Sequence, residues 1–95
     1  MAIEKTKVIF RVFKEGDVIA LFPAISDSLN GYLCSSYQHI GQHGSATPDL
    51  VQNTRLAKPA EYADLLAELK KIGYNLQIVK KFTRKDYEIR KAQYA

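Results

Sequence analysis

Apolar and polar positions follow two different periods along this chain, and the switch between them is sharpest from residue 59 to residue 82. Tyr62, Leu65, Leu66, Leu69 and Ile72 recur at i, i+3, i+4, i+7 and i+10, which is one face of a helix. Asp64 and Glu68 lie on the other side. Pro59 suits the first helical position, because the N–H it lacks would be unpaired there anyway. Glu61 and Asp64 meet the positive end of the helix dipole, and Lys70 and Lys71 the negative end. Gly73 ends the helix by taking φ > 0. After it the period becomes two. Leu76, Ile78 and Phe82 point one way, and Asn75, Gln77, Val79 and Lys81 the other. This predicts a half-buried strand returning antiparallel to the helix.

Upstream, Lys7 to Lys14 predicts a strand with Val8, Phe10 and Val12 on one face and Ile9, Arg11 and Phe13 on the other. Glu15-Gly16-Asp17 is a turn, and Val18 to Phe22 a second strand, so the pair makes a hairpin. Pro23 is expected to stop the pairing, since it has no N–H for a ladder. Ala24 to Gly31 then reads as a loop. Tyr32 to Ile40 is a third strand with no greasy face, followed by a turn over Gly41-Gln42-His43-Gly44-Ser45. Leu50 to Ala57 alternates weakly and is expected as a fourth strand. Thr83-Arg84-Lys85-Asp86 has capping-box spacing. Tyr87, Arg90, Lys91 and Tyr94 share one face of a short terminal helix.

These elements predict an α+β fold: a mainly antiparallel sheet of four or five strands, one helix packed on it and a short C-terminal helix. The order is β-β-β-(β)-α-β-α, in a single domain over residues 1–95. The expected core is Val8, Phe10, Val12, Ile19, Leu21, Leu65, Leu66, Leu69, Ile72, Leu76 and Ile78. Hairpin edges in so small a chain make a homodimer through a sheet edge an expectation.

Composition changes this picture little, and charge changes it more. A hydrophobic fraction of 46% with 25% charged residues is ordinary for a globular domain. No apolar run has transmembrane length, and the start Met1-Ala2-Ile3-Glu4-Lys5 has no secretory apolar stretch. Cys34 is the single cysteine. An internal disulfide is therefore excluded, and a cytoplasmic location is expected. The net charge of +4 is confined to the segment 80–95. There Lys80, Lys81, Arg84, Lys85, Arg90 and Lys91 outnumber Asp86 and Glu88, whereas residues 1–79 balance. Phe82, Tyr87 and Tyr94 interleave with these cations, a mixture suited to phosphates and unpaired bases.

Other chemistry is thinner. His39 and His43 invite a metal, with Cys34 or Asp49 beside them, but on a continuous strand they stand about 13 Å apart. Zinc ligands sit at ~2.0–2.3 Å from the ion, so only a bend at Gly41 brings the two together. Cys34 and His39 face opposite sides of a regular strand, which argues against a thiol–imidazole pair. Gly41-Gln42-His43-Gly44 spells the GxxG of KH loops, without the flanking helices. No phosphate loop or dinucleotide fingerprint occurs. Tyr32, Tyr37, His39 and His43 form a second candidate surface, for a protein partner.

The run Gly31-Tyr32 through His39-Ile40-Gly41-Gln42-His43-Gly44, with the helix and Gly73-Tyr74 after it, resembles small bacterial proteins, including ones carried by mobile elements and phages. No activity is established for that group, and the resemblance implies a small accessory or binding protein. Three functions follow as expectations. The first is a non-enzymatic module contacting nucleic acid or a nucleoprotein through Lys80, Lys81, Arg84, Lys85, Arg90 and Lys91. The second is a protein-interaction or inhibitor domain using the Tyr32–Ser45 surface. The third is a small metal-dependent protein or enzyme using His39 and His43. No cofactor is expected.

Overall fold

Most of the fold hangs on its first strand, β1 (Thr6–Phe13). The computed structural model describes residues 5–26, 34–38, 42–46 and 48–93. Gly16, at φ 99°, turns the chain into β2 (Val18–Ser26). The two strands pair antiparallel, with Ile9 opposite Leu21 and Val12 opposite Val18. β3 (Cys34–Gln38) and β4 (Gln42–Ala46) form a second hairpin beside β2. A 3-10 turn over Pro48–Asn53 leads into β5 (Thr54–Leu56), antiparallel to the far end of β1. Helix α1 (Pro59–Ile72) follows. β6 (Leu76–Ile78) pairs parallel with Thr6–Val8, and α2 (Arg84–Ala92) closes the order. The antiparallel strands run β4-β3-β2-β1-β5, with β6 sharing the β1 edge taken by β5. The class is α+β, as expected.

Strands β1 and β2 are buried on both faces, which is why they read as nearly unbroken apolar runs rather than clean alternations. On one face Val8, Phe10, Ala20, Phe22 and Tyr37 meet Leu65 and Leu69 of α1. The rings of Phe10 and Tyr62 stack at 4.4 Å, and those of Phe22 and Tyr74 at 5.1 Å. On the other face Ile9, Ile19, Leu21, Cys34 and Ala46 are covered by Phe13, Leu50, Val79 and Phe82. Each fully buried aliphatic side chain contributes roughly 1.5–3 kcal/mol of gross transfer energy.

Arg11, next along that second face, reaches the 3-10 turn. It donates from Nε to Thr54 Oγ1 at 2.7 Å, and from Nη2 to the carbonyls of Val51 at 3.1 Å and Thr54 at 2.6 Å. Burial pushes its guanidinium below the ordinary value.

Several expectations change. Residues 42–45 are strand, not turn. Of the expected strand Leu50 to Ala57, only Thr54–Leu56 is strand, and Leu50 to Asn53 lie in the 3-10 turn. Strand β2 does not stop at Pro23 but runs to Ser26 through an irregularity. The strand after Gly73 is shorter than its pattern, because the chain crosses the sheet edge. Leu76 packs on the α1 side, whereas Val79 and Phe82 pack on the other. Ile72 and Ile78, expected in the core, are 51% and 44% exposed. Pro59 as first helical residue and Gly73 as the stop, at φ 124°, stand as expected.

Candidate nucleic-acid interface

The position of the basic segment follows from Pro23. Between the pairs Phe22–Ser35 and Ser26–Cys34, residues 23–25 of β2 have no counterparts on β3. A proline in a strand is tolerated at such a bulge. The bulge leaves backbone groups that need partners, and α2 supplies them. Arg90 Nη1 donates to the Pro23 carbonyl. Gln93 Nε2 donates to the Ala24 carbonyl at 2.7 Å, while the Ser26 N–H donates to Gln93 Oε1 at 2.8 Å. The Arg90 guanidinium also lies 5.7 Å from the Phe82 ring centre and 5.6 Å from that of Tyr87, within cation–π range.

The N-terminus of α2 is fixed as tightly. Thr83 Oγ1 accepts from the Asp86 N–H at 3.1 Å, and Asp86 Oδ2 accepts from the Thr83 N–H at 3.0 Å. The capping box read from the sequence is therefore present, the short Asp serving where Glu is usual. Asp86 Oδ1 takes a third bond, from Lys7 Nζ at 3.2 Å. Burial pushes the Asp86 carboxyl up, but the bonds from Thr83 and Lys7 outweigh it and hold the carboxyl below its ordinary value.

This docking sorts the basic residues. Arg90 is 2% exposed and is committed to Pro23, Phe82 and Tyr87. The expectation that it contacts a ligand is corrected: its fork satisfies a strand carbonyl beneath the surface. Lys80, Lys81, Arg84, Lys85 and Lys91 are all exposed. Arg84 reaches Glu88 at 3.5 Å, an ion pair with both side chains largely in solvent. The first four flank one helix N-terminus, where the dipole already presents positive charge. Of the interleaved aromatics, Phe82 is half-buried beneath Arg90, and Tyr87 is 42% exposed.

The second candidate surface loses its anchor. Tyr37 is 1% exposed and packs between the sheet and α1, so it offers no contact area to a partner. Tyr32 and His39 lie outside the described residues. His43 is in β4 opposite Tyr37, and its side chain lies outside the described set. Cys34 is fully buried beside Ile9 and Leu21, closed to a substrate. Among the described residues no group of three His, Cys, Asp or Glu side chains is placed to hold a metal ion. Nor is any described helix long and apolar enough to cross a membrane.

Sequence reading missed the roles of Lys7 and Gln93. A proline inside an apolar run signals a bulge, and hence leftover carbonyls, but it does not say which distant donor answers them. Comparison with known proteins finds no matching family model, no matching curated protein and no matching solved structure.

Proposed function

We propose that this chain is a small non-enzymatic binding module that contacts nucleic acid, free or within a nucleoprotein, through Lys80, Lys81, Arg84 and Lys85, with Lys91 further along α2. One observation carries the reading: four exposed cations crowd the positive end of a helix. Lys80, Lys81 and Lys85 have no ion-pair partner among the described residues. Asp86 caps that end and Glu88 pairs with Arg84, but Asp86 bonds Thr83 and Lys7, so the three lysines keep an excess of positive charge that an external anion would relieve. Phosphates are the anions that a row of lysines and arginines fits.

The test is a fluorescence-anisotropy titration with labelled oligonucleotides at several salt concentrations. The logarithm of the affinity is expected to fall linearly with that of salt, by about 0.7–0.9 per phosphate neutralised. Lys80→Glu, Lys81→Glu, Arg84→Glu and Lys85→Glu combined should abolish binding. Weak binding by the unaltered protein even at low salt would overturn the proposal.

A further inference from the structure

A groove of about 240 Å³ opens at the β1 edge where β5 and β6 part company. β5 covers residues 11–13 of β1 and β6 covers residues 6–8. Just beyond each ladder the Ala57 N–H donates to the Phe10 carbonyl and the Val79 N–H to the Val8 carbonyl, both at 2.9 Å, so the groove is framed by the two chain segments as they diverge. Leu56, Pro59, Tyr62 and Ile78 supply apolar walls, and Lys80 stands at the rim. Leu56 and Ile78 are 40% and 44% exposed, unlike the rest of the sheet's apolar residues. Among the described residues no carboxylate lines the groove. Glu61, in the first turn of the adjoining helix, is held by Arg55 through two bonds of 2.8 and 2.6 Å. Its charge is thus already matched, and Lys80 gives the rim a positive charge.

We infer that this groove receives an unstacked base of single-stranded nucleic acid whose phosphates run along Lys80, Lys81, Arg84 and Lys85. The inference rests on the binding function proposed above and adds which form of nucleic acid is preferred. Lys80 belongs to both features: it lines the groove and begins the basic row. Four residues separate it from Arg84, a span of at most about 14 Å, so one strand can touch both. The walls offer apolar surface and no array of donors and acceptors, which suits the π-face of any base and reads no sequence. A paired base would first have to leave its stack and its partner, which costs free energy that a single strand is spared. Charge excludes a basic peptide, and an acidic peptide with an apolar anchor is the competing occupant.

The experiment compares three probes of equal length on the unaltered protein: a thymidine single strand, its duplex with adenosine, and a fully abasic strand. The single strand is expected to bind at least tenfold tighter than either of the others, equivalent to about 1.4 kcal/mol. Leu56→Ser and Ile78→Ser, both at exposed positions, should bring single-strand affinity down about tenfold, to the abasic level. Salt-steep binding that ignores the difference between the three probes would overturn the groove inference and leave the phosphate reading standing. Failure of all three probes would overturn both, and capture of an acidic apolar peptide lost in Ile78→Ser would then assign the groove to a protein partner.

Discussion

Lys7 and Asp86 meet at 3.2 Å although 79 residues separate them in sequence. The carboxylate is 1% exposed and the lysine about a third exposed, so the pair sits at the margin of the core. It ties the first strand to the cap of the last helix. Asp86→Asn should destabilise the protein by about 2 kcal/mol, from one charge-assisted bond and part of a cap. The pH dependence has a definite sign. The folded carboxyl binds its proton less tightly than the unfolded one. Its contribution is therefore full above pH ~4 and is lost as pH falls through the lower folded value. Glu61 acts in the same sense, held by Arg55 and the Lys58 N–H down to about 2. Urea melts from pH 7 to pH 2 should show falling stability in acid, with a shallower fall in Asp86→Asn. An unchanged profile in that variant would remove Asp86 from the account.

Arg90 separates a structural cation from a binding one. Arg90→Ala leaves the Pro23 carbonyl without its donor and strips the cover from Phe82. A loss of about 2–4 kcal/mol is expected. Arg90→Lys should recover only part of it, since an ammonium lacks the planar fork that bonds and stacks at once. Lys85→Ala, at an exposed position, should stay within about 0.5 kcal/mol. Denaturant midpoints check all three. An Arg90→Ala protein as stable as Lys85→Ala would contradict the docking of α2.

Cys34 supplies a chemical clock. Its thiol is fully buried, so an aromatic disulfide reagent should leave it untouched in the native protein and react at once in denaturant. Native-state labelling should then proceed only through opening and, with reagent slow relative to reclosing, slow in step with added stability. Immediate labelling without denaturant would show that the second face of the sheet is not closed.

Legibility from sequence divided along physical lines. Local signals were read well: Pro59 and Gly73 bound α1, Gly16 turns the first hairpin, and Thr83 with Asp86 caps α2. Each depends on a few neighbouring residues and their backbone preferences. What failed was decided at a distance. Residues 42–45 hold no apolar pattern and became a strand because β3 offered an edge. Ile78 alternates like a core residue, yet it stands at the mouth of the groove where β5 and β6 diverge. Tyr37 looked like a surface anchor because its own strand is polar, whereas the face it joins is built by Phe10, Phe22 and α1. Arg90 carried the charge of a ligand contact, and only the bulge at Pro23, 67 residues away, turns it inward.

The attachment of so much of the fold to β1 also sets an order of events in time. On a ribosome that strand is made some 70 residues before β6, its parallel neighbour. Parallel and long-range pairings form slowly, because a large loop must close before any contact rewards it. The two hairpins can zip early, leaving Ile9 and Leu21 uncovered until Phe82 and α2 arrive. The nascent chain therefore passes through a half-dressed sheet, sticky on one side. Its yield in the cell should depend on how quickly the last 20 or so residues follow the rest into place.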